Sequence, residues 1–593
     1  MERDRWEAGA PAVRLCRISD LRGPGPFAAS ARGEELVVLR SAERLKAFEG
    51  RCPHQGALLA EGELVGDELV CRNHRWRFDV ATGERRDGPG CLRPCPLEVR
   101  DGELFARPPG PVGRASAAGR LRRIEDLPGP RRLPLVGNLL AIDLDRMHQV
   151  LERWAVRYGP AYRVDFGPRR TVVLSDAALI ERALRERPET YRRFSVIEVV
   201  FRELGLAGVF SAEGIDWRPL RKLSMEALAP PHLRSFYPAL RTVAERLHRR
   251  WMRSARLGLE VDLQEDFKRF TVDVTTLLAF GHDADTLEQD GDVLQRKLEL
   301  VFPGMNRRLF AAVPLWRLVK LPAERRLERA LGEVFDLLRD LLSATRARLS
   351  ADPARSTRPE TFLEAMASAR DDAGEPFSDG VILGNAIQML LAGEDTTALS
   401  LCWAVHECCD APRAVALLER EADRVLGGAV VPEDFAAAGR LEGAGAVASE
   451  TLRLRLVAPL VFIEANREAV LGDLGLAKGQ QVCLLMRQPG LSAEHFADPQ
   501  AFRPERWLEP PAGAHEASAL MPFGSGPRLC PGRQLALLEM RVALATLFRS
   551  FAVERVGTRE EVEERFAFTM GPRGLRVRLR ERSARGGAPA ANR

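Results

Sequence analysis

At 593 residues the chain is longer than one hydrophobic core can organise, and length alone points to roughly three or four domain equivalents. Hydrophobic residues make up 45% and charged residues 29%, which excludes a disordered or fibrous protein. The formal net charge is +5, and no basic stripe carries it: residues 1–108 hold 18 basic and 18 acidic residues, while 109–123 hold four arginines and no acid. A nucleic-acid partner is therefore not expected.

The first thirty residues scatter Arg, Asp and Glu without the apolar centre of a signal peptide. The longest apolar stretch, 381–392, is interrupted by Asn385 and Gln388 and is too short to span a bilayer. Ten cysteines without regular spacing do not make a disulfide framework. A cytoplasmic protein with no membrane span is the expectation.

Residues 1–108 read as a small all-β domain. Residues 35–40 form an apolar run, 63–71 and 75–80 flank a loop, and 97–100 joins 103–107 through Asp101-Gly102, a strong two-residue hairpin signal. Within this domain, Cys52-Pro53-His54-Gln55-Gly56 and Cys71-Arg72-Asn73-His74 set a Cys-x-His pair and a Cys-x-x-His pair sixteen residues apart. Two thiolates and two imidazoles on two loops suit a 2Fe-2S cluster, with Cys52 and Cys71 on one iron and His54 and His74 on the other. A structural zinc uses the same residue types, but zinc fingers group them as Cys-Cys and His-His, and both pairs here are mixed. Arg51, Arg72, Arg75 and Arg77 make the cluster tip basic, either as a docking face or as solvated charge.

Residues 109–123 lack apolar periodicity and read as a flexible linker. Beyond it, 145–158, 240–257, 323–349, 381–409, 414–426, 446–456 and 533–551 repeat apolar residues at helical spacing, with strand-like pieces at 170–174 and 481–485. Residues 583–593 read as a disordered tail.

Several motifs sit on this helical half. Ala392-Gly393-Glu394-Asp395-Thr396-Thr397 falls inside a helix, where a Thr hydroxyl either bonds the carbonyl one turn back or has a task. Glu450 and Arg453 lie three apart on one helix face. Gly443-Ala444-Gly445-Ala446-Val447-Ala448 looks like a dinucleotide fingerprint but follows no strand, so that reading is rejected. Phe523-Gly524-Ser525-Gly526-Pro527-Arg528-Leu529-Cys530-Pro531-Gly532 directly precedes the helix 533–551. Its glycines expose backbone N–H groups to the Cys530 sulfur, the helix N-terminus stabilises negative charge there, and Arg528 is placed to meet an anion.

These motifs carry two resemblances. Residues 10–107, including Trp76-Arg77-Phe78-Asp79 and Thr82-Gly83, resemble the Rieske ferredoxin family, on its ferredoxin and oxygenase branch, since Ala57 and Asn73 stand where high-potential members have a disulfide. Residues 126–580 resemble the cytochrome P-450 family, whose cysteine loop is matched at Phe523, Gly526, Arg528, Cys530 and Gly532. The implied architecture is a small all-β Rieske domain (1–108), a linker (109–123) and a mainly α, α+β, cytochrome P-450 fold (124–582).

The second resemblance implies heme b bound through Cys530, with Arg528, Phe523, Trp217 and Arg221 among its binding residues. It also implies Thr396 at the dioxygen side of the haem, Asp395 feeding protons inward, and Arg506 joining Glu450 and Arg453 in an internal ion network. The family's further propionate-binding Arg falls on Ile463 here, with Arg467 a candidate substitute. Segments near 194–210 and 285–310 border the family's pocket, and their Val, Leu and Phe residues point to an apolar substrate or equally to core packing.

Together the halves imply a haem-thiolate monooxygenase acting with O2 on an apolar molecule, its cluster relaying electrons from an external NAD(P)H-dependent flavoprotein reductase. The alternatives are a peroxide-using or non-redox haem-thiolate enzyme, a redox or gas sensor, and a Rieske non-haem oxygenase. The last would need a second iron held by two His and a carboxylate, and the other seven His show no close pair.

Overall fold

The computed structural model describes residues 12–106 and 121–582, except 22, 24, 32–33, 42–43, 51, 53–57, 73–75, 87–91, 93, 135, 168, 290–292, 312–313, 358, 372–373 and 509–515. His54, His74, Arg51, Arg75, residues 109–120 of the expected linker and the 583–593 tail lie outside the described residues. The chain divides into two compact units between Leu121 and Arg122.

The first unit is all β. Phe27–Ala31, Glu34–Ser41, Arg44–Glu49 and Pro94–Cys95 form one sheet; Val13–Arg17, Glu103–Ala106 and Leu97–Arg100 form a second; Glu63–Val65, Glu68–Val70 and Arg77–Asp79 form a third. The hairpin at Asp101-Gly102 has φ of 49° and 75°, the pair of left-handed residues that a type I′ turn requires. The strands bury two apolar clusters, one around Val38, Ala47 and Leu104, the other around Val37, Phe48, Phe78, Cys52 and Cys71.

The folded second unit takes hold before the expected linker ends. The Arg122 N–H donates to the Asp473 carbonyl at 3.0 Å, and its guanidinium binds the Asp473 carboxylate at 2.6 and 2.9 Å. An arginine that composition marks as linker is thus pinned by a partner 351 residues away.

Helices Met147–Tyr158, Pro230–Leu257, Pro322–Ala351, Asp379–Cys408, Pro412–Leu426, Glu442–Leu454 and Arg533–Ser550 match the predicted set within a few residues, apart from an earlier start for Pro230–Leu257. A five-stranded sheet orders Ala161–Phe166, Arg169–Leu174, Gln481–Leu485, Leu460–Ala465 and Tyr191–Arg193, with only the second and third strands parallel.

Asp379–Cys408 runs through the centre, and close approach of its neighbours depends on glycine. A Cβ on Gly384 would lie 1.9 Å from the Ala207 carbonyl oxygen, and one on Gly393 would lie 2.7 Å from the Thr275 hydroxyl. Its neighbour Leu263–Phe280 is absent from the predicted helices for a physical reason. Asp266, Lys268, Thr271, Asp273, Thr275 and Thr276 are buried on it alongside Phe267 and Phe270, so no polar stripe marks a solvent face.

The Glu450 network assembles as expected. Arg453 binds both Glu450 oxygens at 2.8 and 3.0 Å and donates to the Gly490, Pro499 and Ala501 carbonyls, while Arg506 and Trp507 also reach the Glu450 carboxylate. The rejected dinucleotide fingerprint is a plain helix start: the Gly443 and Ala444 N–H groups donate to the Glu421 carboxylate at 2.7 and 2.9 Å, where a phosphate would otherwise sit. Among the described residues no helix is long and apolar enough to cross a membrane.

Candidate metal centres and active site

In the β unit, Cys52 and Cys71 are 2% and 1% exposed and belong to the same apolar cluster. The base of the Cys52 loop is pinned on both sides: Gly50 donates to the Glu35 carbonyl at 2.7 Å and accepts from the Leu59 N–H at 2.8 Å. A Cβ on Gly50 would lie 2.7 Å from the Glu35 carbonyl carbon, so the crossing needs glycine. The Cys71 N–H donates to the Trp76 carbonyl at 2.8 Å. Arg85 lies 3.5 Å over the Trp76 ring. Two buried thiols in one apolar cluster suit the two cysteine ligands expected of a 2Fe-2S cluster, while the expected histidine ligands lie outside the described residues. Of the basic tip, Arg72 is paired with Glu61 and Arg77 with Glu68, at 3.5 and 3.2 Å, so half of the expected docking charge is locally balanced.

In the second unit, the loop before Arg533–Ser550 is shaped by Gly524 and Gly526, with φ of 77° and 69°. Gly526 also packs against the backbone of Arg185, where a Cβ would come within 2.7 Å of Cα. The Cys530 N–H donates to the Phe523 carbonyl at 2.8 Å, and Arg533 stacks 5.9 Å from the Phe523 ring centroid. Cys530 is exposed, yet the protein packed around it pushes its thiol up. Opposing that rise are the Gly532 N–H, then the charge of Arg221, then the Arg533 N–H and guanidinium. The loop thus supplies the donors and charges that a thiolate needs.

Cations crowd this site. Arg187, Arg193, Arg221, Arg528 and Arg533 all have their charge disfavoured by burial, Arg187 falling to about 10. The carboxylate offsetting three of them is Glu213, which holds Arg528 at 2.7 Å. The guanidinium of Arg528 lies 4.5 Å from the Trp217 ring centroid and donates to the Ala212 carbonyl at 2.8 Å. Yet Nε and Nη1 of Arg528, Nε and Nη2 of Arg187 and Nε of Arg193 are buried with no protein acceptor. Unmet buried donors are costly, and this many on one side of a site fit a dianionic group such as a haem carrying two propionates.

Arg187, Arg193, Arg533 and Glu213 are members that the motifs did not reveal. Arg193 could be found only from the fold: its cross-strand partner is Ile463, the position where the family's propionate-binding Arg is expected. Arg467 instead donates to the Thr190 hydroxyl at 3.1 Å.

A cavity of about 220 Å³ lies beside the central helix, lined by seven phenylalanines together with Ala392, Thr396 and Arg193. The expected pocket segments contribute Phe194, Ile197, Phe201 and Phe210 from one and Phe302, Asn306 and Leu309 from the other, whereas Val200, Leu204 and Leu206 are core. The Thr396 hydroxyl donates to the Ala392 carbonyl at 2.8 Å, the bond one turn back, and Thr396 also lines this cavity.

Asp395 is turned away from Thr396, toward a polar cleft of about 630 Å³. Its Oδ1 lies 3.2 Å from Lys268 Nζ, and Oδ2 accepts from the Thr569 hydroxyl. Burial opposes the charge on Lys268, but Asp395, Glu394 and Glu299 more than offset this and hold the ammonium above its ordinary range. Burial pushes the neighbouring Glu394 carboxyl well up.

A cytochrome P450 family model matches residues 127–579 and a Rieske [2Fe-2S] domain model matches residues 12–97. Among curated relatives, the chloroplastic protein LUTEIN DEFICIENT 5 of Arabidopsis thaliana is 25% identical over 70% of this chain and 71% of its own length. The mitochondrial 25-hydroxyvitamin D-1 alpha hydroxylase of Rattus norvegicus is 30% identical over 73% of this chain and 89% of its own. A self-sufficient cytochrome P450 monooxygenase of Aspergillus terreus is 25% identical over 77% of this chain, which spans only 43% of that larger protein. The chain therefore belongs to the cytochrome P450 family, with the haem-thiolate centre that family implies, and carries a Rieske [2Fe-2S] electron-transfer domain ahead of it.

Proposed function

We propose that the chain inserts one oxygen atom from O2 into a compact, flat, apolar molecule, with electrons passing from an external NAD(P)H-dependent flavoprotein reductase through the Rieske cluster to the haem. The carrying observation is Arg193, whose Nε is buried without an acceptor in the cationic cradle while its guanidinium, 3.6 Å over the Phe210 ring, borders the phenylalanine-lined cavity. One residue joins the cofactor's place to the substrate's.

In this reading Cys530 ligates the haem iron, Arg528, Arg193 and Arg221 hold the propionates, and Trp217 and Phe523 brace Arg528 and Arg533. Bound haem supplies dioxygen activation, and its thiolate ligand favours O–O cleavage. Cys52, His54, Cys71 and His74 hold the 2Fe-2S cluster. The apolar cavity excludes water and orients the substrate, Thr396 presents its hydroxyl at the cavity wall, and Asp395 brings protons from the polar cleft. A cytoplasmic location belongs to the same proposal.

Naphthalene, NADPH, a flavoprotein reductase and heavy-isotope dioxygen, incubated with the full chain, should give a product carrying one labelled atom. Two labelled atoms, or turnover driven only by peroxide, would reject the monooxygenase reading. Replacing both His54 and His74 by Ala should stop reductase-driven turnover while leaving haem absorption intact. Undiminished turnover would remove the cluster from the path.

A further inference from the structure

The strands Glu563–Ala567 and Thr569–Arg573 form a hairpin whose single connecting residue, Phe568, has φ of 78°. A bulky side chain rarely adopts this left-handed conformation, and such residues persist where their surroundings hold them. The Phe568 ring stacks on Phe302 with centroids 5.4 Å apart, meets Phe210 edge-on at 6.1 Å, and lines the apolar cavity.

The next residue does the opposite job. Thr569 donates its hydroxyl to Asp395 Oδ2, while Lys268 occupies Oδ1, so both carboxylate oxygens are engaged. Phe302, Asn306 and Thr569 border both the cavity and the polar cleft. The hairpin tip is thus part of the partition between the two volumes, with a ring facing one and a hydroxyl binding the acid of the other. The cleft side also carries charged groups, among them Lys268, Glu299, Glu394, Glu265, Arg307 and Arg576.

Resting on the reading that Asp395 passes protons inward, we propose that the Phe568–Thr569 tip is a substrate-sensing latch on Asp395. A flat apolar molecule filling the cavity competes with the Phe568 ring for the face of Phe302. Because the turn is one residue long, moving Phe568 also withdraws the Thr569 hydroxyl. Asp395 keeps its Lys268 partner and gains a free oxygen for water from the cleft. The ligand shifts the equilibrium by fitting better where the ring has moved off Phe302, which is the differential interaction any such switch requires. An empty cavity therefore holds the acid closed, and Thr569 acts as a positioning residue rather than a catalytic one.

Infrared difference spectra of the full-length, haem-loaded protein test the latch, with the Asp395 carboxylate band assigned by Asp395→Asn. Naphthalene binding, followed independently through the haem Soret band, should shift that band in the native protein. Thr569→Val should show the shifted band without naphthalene, and Thr569→Ser should restore the native band and its response. Phe568→Ala should bind naphthalene with no band shift. Substrate-free NADPH oxidation should rise about tenfold in Thr569→Val, the scale of one hydrogen bond to a charged group.

A native-like band in Thr569→Val, an Asp395 band indifferent to bound naphthalene, or failure of naphthalene to bind would each overturn the proposal. The relay reading is separated by Asp395→Asn itself. If that variant keeps the native product yield per NADPH and the native solvent isotope effect, the relay fails whatever the infrared bands do.

Discussion

The two units hold their cysteines in opposite ways. Cys52 and Cys71 are sealed in an apolar core, at 2% and 1% exposure, while Cys530 is exposed and has the charges of Arg221 and Arg533 near its sulfur. The difference follows from what each sulfur must meet. A small iron–sulfur cluster gains from exclusion of water, which tunes its potential. A broad anionic macrocycle needs open volume over the ligand and cations at its rim. In the proposed reading the second centre also draws on the larger fold, since Arg193, Arg221 and Arg528, which would hold the haem, come from three separate stretches of the chain.

The largest expected effect tests that contrast directly. Cys530→Ala should abolish the thiolate-type absorption of the reduced carbon-monoxide complex and leave the cluster's paramagnetic signal unchanged. Cys71→Ala should do the reverse. Loss of both signals in either variant would mean that the two sites depend on one another, and a retained thiolate absorption in Cys530→Ala would show that another residue is the ligand.

Local chemistry makes most of both centres legible in the sequence. The Cys530 loop, the Asp101-Gly102 turn and the long amphipathic helices announce themselves because their determinants lie within a few residues of one another. What stays hidden depends on pairings across the fold. Nothing near Arg193 says that it faces Ile463 or that its guanidinium has an Nε without an acceptor. The Leu263–Phe280 helix is masked because its polar residues are spent inward, and Thr569 lies 174 residues from the carboxylate it binds. Arg122 reads as linker until Asp473 is brought beside it.

The next effect concerns the frame that holds the cradle rather than the cradle itself. Arg453 and Glu450 are both fully buried, and Arg453 also satisfies three carbonyls on the segment leading to Arg503. Arg453→Met should leave an uncompensated buried carboxylate and cost roughly 3–5 kcal/mol. Urea titration of haem retention measures this. A loss below about 1 kcal/mol would mean that Arg506 and Trp507 suffice to hold Glu450.

A smaller effect separates the arginines that read alike in sequence. Arg193→Leu should weaken haem affinity by roughly tenfold or more, as expected for a charged hydrogen bond. Arg467→Leu should leave it unchanged, since that side chain is turned to Thr190. Haem transfer to apomyoglobin gives both values. Equal loss in the two variants would discard the cross-strand replacement.

The last effect, seen only as a pH dependence, lies behind the Cys530 loop, on the same helix. Glu539 is fully buried against the central helix, with Oε1 lacking a partner and one hydrogen bond to Thr397. Burial raises its carboxyl to about 8, with Thr397 pulling it partly back. The folded protein therefore keeps a proton that the unfolded chain releases near the ordinary Glu value of about 4.3. Between those limits the unfolded state binds fewer protons, so the stabilising contribution is complete at low pH and is lost as pH rises toward and through about 8. The slope from one proton is at most about 1.4 kcal/mol per pH unit. Glu539→Gln removes the titrating group while keeping its shape and one donor, so its Tm should fall less steeply than that of the native protein between mildly acidic and mildly basic pH. The two slopes should converge at higher pH, where both native and unfolded Glu539 are ionised. A native Tm that rises across this window relative to the variant would mean that the carboxylate is ionised in the folded protein and has a counter-charge that the packing around Thr397 does not provide.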